Sequence, residues 1–172
     1  AFDKAASLLG LPYPGGPALS RLAQDGRRDA FELPRYRARP ERPSFSFSGL
    51  KTAFLYTLRG GDATAPTPPP EAIERKADLA ASFEAAAVDA LVRPTLEAAQ
   101  RLGVPRILVA GGVAANRHLR AELGRAGAEL GFEVRFPAPA YCTDNAAMIA
   151  GLGHALLTAG AVGDLALEAS PR

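Results

Sequence analysis

The chain has 172 residues, 48% of them hydrophobic and 22% charged, with a mean hydropathy of zero and a formal charge of +2. That size suits one domain with a sizeable core, and no stretch reaches the ~18 uninterrupted apolar residues of a membrane helix, so a soluble protein without a membrane partner is expected. The mild basicity permits a nucleic-acid partner without requiring one, and the single cysteine, Cys142, excludes an internal disulfide and fits a reducing, cytoplasmic setting.

The start, Ala1-Phe2-Asp3-Lys4, reads as the interior of a helix rather than a basic-then-apolar leader, so no signal peptide is expected. The pattern predicts a helix over Phe2 to Leu9, stopped at Gly10. LPYPGGPALS then forces a turn at Gly15-Gly16, and Pro17 opens a second short helix. The segment from Gly26 to Pro43 is irregular and rich in arginine (Arg27, Arg28, Arg35, Arg37, Arg39, Arg42), a solvated loop or a contact for RNA phosphates. FSFSGLKTA suggests a short extended piece running into a helix at Gly49, with Leu50, Ala53, Phe54 and Leu58 at helical spacing. Lys51 on that helix suits a phosphate but reads more simply as solvated. Residues 59–71, RGGDATAPTPPPE, form a flexible loop by composition.

The longest helical pattern runs from Ile73 to Leu102, and Pro94 should kink or divide it. Two strand-to-helix units follow. Arg106 to Ala110 is a short apolar strand, Gly111-Gly112 a turn, and Asn116 to Leu130 a helix. Phe132 to Phe136 alternates like a strand, PAPAY is an extended loop, and Asp144 to Thr158 is an apolar helix. Strand-turn-helix twice over implies a parallel βαβ unit, and GDLALEASPR at the end could add an edge strand. Two strands are few for an α/β protein and cannot be covered on both faces by these helices.

Four constellations could carry chemistry. In VAGGVAAN, a strand ending in Gly111-Gly112 lets the backbone approach a ligand, and Asn116 suits a hydroxyl or an adenine edge. Read alone, Asn116 is equally an N-cap and the glycines a tight turn. In AYCTDNAAMIA, Asp144 stands near the carboxyl end of a strand, where ligands bind in open α/β sheets, and could ligate a hard metal. Read alone, Thr143 or Asp144 caps the helix, and Cys142 is a half-buried structural thiol. In FDK…YPGGP, Asp3 could hold ribose hydroxyls beside Gly15-Gly16; read alone, the motif is a surface helix and a turn. FSFSGLKTA is the fourth. His118 and His154 form no paired metal motif, and His118 reads as a surface residue of its helix.

Taken together, AFDKAASLLGLPYPGGPALSRLA, FSFSGLKTA, DLAASFEAAAVDAL, VAGGVAANRHLR and PAPAYCTDNAAMIA resemble the TsaD family in order and spacing, over nearly the whole chain. That family was formerly described as an O-sialoglycoprotein endopeptidase. The resemblance implies an α/β fold of the actin, Hsp70 and sugar-kinase superfamily (ASKHA), with two lobes around a nucleotide cleft. Residues 1–172 would be a largely helical part of the C-terminal lobe with a short parallel sheet, lacking the N-terminal lobe and the first strands. It further implies tRNA modification, with transfer of a threonylcarbamoyl group from threonylcarbamoyl-adenylate to N6 of the adenosine 3′ of the anticodon. Partner proteins such as TsaB and TsaE would assist.

By matching motifs, Asp3, Gly16 and Asn116 correspond to substrate-binding positions, with Gly15, Gly111 and Gly112 as weaker ones. Asp144 corresponds to a ligand of one divalent metal, iron with zinc as the alternative. The family's His-x-x-x-His and Ser-Gly-Gly-His segments do not occur in this sequence. The 172-residue chain is therefore expected to be inactive by itself, and self-association through exposed apolar surface is expected too. The rival readings are a nucleotide-binding ATPase or small-molecule kinase of the same superfamily, a non-catalytic scaffold paralogue, and the older peptidase.

Overall fold

The computed structural model describes residues 1–37, 45–164, 166 and 168. Six α-helices and two strands follow in the order α1 (Phe2–Leu8), α2 (Gly15–Leu22), α3 (Ser48–Leu58), α4 (Lys76–Leu102), β1 (Arg106–Leu108), α5 (Arg117–Glu129), β2 (Glu133–Arg135) and α6 (Ala146–Thr158). Among the described residues no helix is long and apolar enough to cross a membrane.

The 27-residue α4 is the axis of the molecule. Its N-terminal half is rich in alanine, and Ala80, Ala81, Ala85, Ala86 and Ala87 are buried on several sides. Small side chains let neighbouring helices approach α4 around most of its circumference, while Phe83 supplies the bulk. The Phe83 ring meets Phe54 of α3 edge-on at 4.9 Å and Phe2 of α1 at 5.8 Å. Leu9, Leu19, Leu50 and Leu79 complete this first core, which α1, α2, α3 and α4 enclose. A second, smaller core lies farther along α4, where Val88, Val92 and Leu96 pack on Ile107, Leu119 and Leu123. Pro94 is buried inside α4, and the helix runs through it as one element rather than dividing. It starts at Lys76, behind Arg75 in the left-handed region at φ 52°, and ends at Gly103 at φ 63°.

Polar side chains of α4 hold the irregular segment that follows α2. Asp78 accepts from the Arg27 amide at 2.8 Å, and Asp89 accepts from the Tyr36 amide at 2.8 Å. Between them the Ser82 hydroxyl, fully buried, accepts from the Phe31 amide and donates to the Arg27 carbonyl. Each bond satisfies a backbone group that lacks a regular partner, which lets an irregular stretch lie on a helix. Residues 26–37 are irregular as expected, with Arg27, Arg28, Arg35 and Arg37 exposed although the backbone is anchored on α4, while Arg39 and Arg42 lie outside the described residues.

The sheet is two parallel strands, pairing Arg106 with Glu133, Ile107 with Val134 and Leu108 with Arg135. Ile107 points into the second core, whereas Leu108 on the other face is 73% exposed. Helix α5 crosses between the strands and packs closely on β2; a Cβ at Gly127 would meet a Val134 methyl at 2.4 Å. Both strands are shorter than the expected Arg106–Ala110 and Phe132–Phe136, because no third strand extends the ladder within the described residues. The suggested edge strand after Gly163 lies largely outside the described residues.

Other elements differ in detail. Helix α2 begins at Gly15 rather than Pro17, α3 at Ser48, and PAPAY forms a 3₁₀ turn over Pro139–Tyr141 instead of an extended loop. The loop after α3 is laced by Arg59, which donates to the Thr67 hydroxyl and the Ala63 carbonyl. Helix α6 starts at Ala146 and is exposed along its whole length.

Candidate functional site

Helix α2 is the platform of the site. At its N-terminus the Gly15 amide donates to Asp3 Oδ1 at 2.9 Å, so a carboxylate from α1 satisfies a free N–H of α2. Gly15 is required there: a Cβ would lie 2.6 Å from that of Ala6 and 2.8 Å from Asp3 Cα. Gly16, by contrast, has only Phe2 Cβ within reach, at 4.0 Å. The first glycine thus seats α2 on α1, and the second leaves open space beside Asp3. Asp3 is exposed, and its second carboxylate oxygen makes no hydrogen bond among the described residues.

Five residues on, about 7.5 Å along the helix axis, Ser20 faces the turn that follows β1. There Gly111 takes φ 89°, a conformation that favours glycine, and a 3₁₀ turn over Gly112–Ala115 leads to Asn116. Both hydrogens and one lone pair of the Asn116 side chain are engaged. Its Oδ1 accepts from the Leu119 amide at 2.8 Å and caps α5, as the bare N-cap reading anticipates. Its Nδ2 donates to Ser20 Oγ at 2.9 Å and to Glu84 Oε1 at 2.8 Å. Asp3, Gly15, Gly16 and Asn116 are therefore linked through α2. Gly111 and Gly112 lie exposed at the mouth of the same turn.

Asp144 follows β2 and the 3₁₀ turn over Pro139–Tyr141, two residues beyond Cys142, whose thiol meets Arg120. It is exposed and has no hydrogen bond or ion pair among the described residues. The cap of α6 is Asn145, whose Oδ1 accepts from Met148, rather than Thr143 or Asp144. The neutral amide takes the capping position and leaves the Asp144 carboxylate unengaged. Among the described residues no three His, Cys, Asp or Glu side chains gather as a metal-binding group. Asp144 is one oxygen donor, and a tightly held divalent ion needs several. The donor set described here does not by itself fit a metal.

One cation ties the two post-strand loops together. Arg120 donates to the Ala114 carbonyl at 2.6 Å and to the Pro137 carbonyl, while its guanidinium lies 4.9 Å from the Phe136 ring centroid. The same group reaches Cys142 Sγ at 3.4 Å, and the thiol is buried rather than half-buried. Ser20, Glu84 and Arg120 escape the sequence reading. Glu84 had a signal, a lone carboxylate in the apolar run of the longest helix.

His118 is half-buried, not the surface residue expected from its place on α5. Burial lowers its pKa, aided by the positive charge of Arg28, against the opposing pull of Glu84 and Glu122. Lys51 is exposed on α3, as the simple solvated reading has it.

The sequence was also compared with those of known proteins. The sequence profile described as "TsaD: tRNA N6-adenosine threonylcarbamoyltransferase" matches residues 1–151. A tRNA N6-adenosine threonylcarbamoyltransferase of Acidovorax sp. (strain JS42) is 50% identical over 100% of this chain and 48% of its own length. Proteins of the same description from Paracidovorax citrulli and Syntrophotalea carbinolica are 53% and 47% identical, over 93% and 98% of this chain and 44% and 48% of theirs. The chain thus spans about half the length of the curated relatives it matches. With the profile covering most of its residues, the chain belongs to the TsaD family, tRNA N6-adenosine threonylcarbamoyltransferases.

Proposed function

We propose that this chain is the C-terminal part of an enzyme that transfers a threonylcarbamoyl group from threonylcarbamoyl-adenylate to N6 of the adenosine 3′ of the anticodon in tRNA. The observation that carries the reading is the platform of α2, with Asp3 at one end and Asn116 at the other, in a chain half identical to relatives of that description. The free oxygen of Asp3 suits a ribose hydroxyl, and the open space beside Gly16 admits a ligand close to the backbone. Exposed Gly111 and Gly112 offer backbone N–H groups at the turn.

In the transfer itself, the N6 amine bonds to the carbamoyl carbon and gives up one proton to solvent, the bond from that carbon to the phosphate oxygen breaks, and AMP leaves with the electron pair. The chain's own contribution is to hold the adenylate so that this carbon faces the incoming amine, which replaces a chance encounter by a fixed geometry. Asp144 would be this chain's single donor to a divalent metal, iron with zinc as the alternative; the other ligands would come from the rest of the protein. TsaB and TsaE are the expected protein partners, and the cytoplasm the expected compartment. The ASKHA lobe is the proposed architecture, of which this structure holds the helices and a two-stranded parallel sheet.

Helix α6 is apolar on every side and fully exposed. Exposed apolar area of this kind marks an interface. We infer that the remainder of the protein covers it and that the 172 residues by themselves self-associate and do not catalyse transfer. The test is to join this chain to the N-terminal half of the Acidovorax relative and assay transfer into unmodified tRNA. Transfer by the joined protein, lost with Asp144→Ala together with bound metal, is the expected result. A joined protein that folds and binds tRNA yet phosphorylates a small molecule would overturn it in favour of a kinase.

A further inference from the structure

Glu84 is 4% exposed, in the middle of α4 between Phe83 and Ala85, and has no ion pair among the described residues. A carboxylate buried without a cation is costly, and an alanine or leucine would pack there at no such cost. What Glu84 does receive is a hydrogen bond from Asn116 Nδ2 at 2.8 Å. The second hydrogen of the same amide goes to Ser20 Oγ at 2.9 Å, and the amide oxygen accepts from Leu119.

These three contacts fix which way the amide points. Rotating it by half a turn would press Oδ1 against the Glu84 carboxylate and aim Nδ2 at the Leu119 N–H, two repulsive contacts at hydrogen-bond distance. An unsupported asparagine offers a ligand a donor and an acceptor. Here both hydrogens are engaged, and only the second lone pair of Oδ1 remains available. The residue is thereby restricted to accepting.

We propose that Glu84 is a positioning residue that, with Ser20, turns Asn116 into an acceptor-only contact for a hydroxyl or amino hydrogen of the adenosine part of the adenylate. This rests on the reading of Asn116 as an adenylate contact. Glu84 touches no ligand itself; it acts from one layer below, through the amide it orients.

The experiment uses the full-length enzyme with this chain as its C-terminal half, measuring KM for threonylcarbamoyl-adenylate, kcat with saturating tRNA, and equilibrium binding of AMP as a direct probe. Asn116→Asp places two carboxylates in contact and should raise KM about tenfold, the scale of one charged hydrogen bond. Adding Glu84→Gln to that variant supplies a donor and should restore KM and AMP affinity to within about threefold, with kcat little changed throughout. Glu84→Gln alone keeps an acceptor toward the amide and should stay near the starting values, whereas Glu84→Ala should behave like Asn116→Asp.

Failure of Glu84→Gln to rescue Asn116→Asp, with both proteins folded, overturns the positioning role. The paired variants decide the matter even where Glu84→Ala does not fold. If Asn116→Ala leaves KM and AMP binding unchanged, the underlying reading of Asn116 falls instead, so the two failures are distinct.

Discussion

The two halves of α4 face different worlds. Around its N-terminal half, α1, α2 and α3 close a core in which Leu9, Leu19, Phe54 and Phe83 are essentially inaccessible. Around its C-terminal half, one strand pair and α5 cover a single side and Leu108 stands in solvent; later in the chain, α6 exposes Ile149, Leu152 and Leu157. The first core is closed, and the second, smaller one is left open. The difference lies in geometry: four helices can enclose their own apolar faces, whereas a two-stranded sheet has two faces and two edges to cover.

That contrast is most sharply challenged in the closed half. Phe83→Ala removes a ring that touches two others and should cost about 3–5 kcal/mol, read as a large fall in the urea midpoint. A loss below about 1 kcal/mol would mean the first core is not the stability centre. Next in size comes the glycine pair. Gly15→Ala must push α2 from α1 and should destabilise by about 1–3 kcal/mol, while Gly16→Ala, with space for its methyl, should be close to neutral. Equal effects would show that α2 does not sit on α1 as described.

A smaller effect is expected at His118. Because its folded pKa lies below the ordinary imidazole value of about 6.5, the unfolded chain takes up a proton first as pH falls. Stability should therefore be complete above that ordinary value and decline as the pH drops from it toward the depressed one. His118→Gln should flatten this slope, and an unchanged slope would assign it to other groups. Smallest of all is the thermodynamic effect on α6. Ile149→Ser with Leu157→Ser should leave the melting temperature where it is, since neither side chain is buried, but should abolish self-association in light scattering. A lowered melting temperature would show that α6 packs on the closed half after all.

Much of this was legible in advance, for local reasons. Apolar spacing and glycine stops located all six helices and both strands, and the parallel order followed from strand-turn-helix repetition. Strand lengths were not legible, because they depend on neighbours that pairing alone creates. Pro94 also misled in part: α4 continues through it, its packing on both cores outweighing the missing N–H. At the site, Asp3 and the Gly15 turn could be read as a pair. The engagement of Asn116 by Ser20 and Glu84 could not, since it joins residues 96 and 32 positions apart. Asn145 displaced Asp144 as the cap because the two are adjacent and equally suited by type.

Cys142 gives the two post-strand loops a gauge of their own. It is the only cysteine in the sequence, buried beneath Arg120 at the point where both loops meet. An alkylating reagent can reach the buried sulfur only when the surrounding loops open, so the labelling rate, divided by that of an unprotected thiol, measures how often they do. A ligand that braces the turn at Gly111 would slow that clock without touching the sulfur.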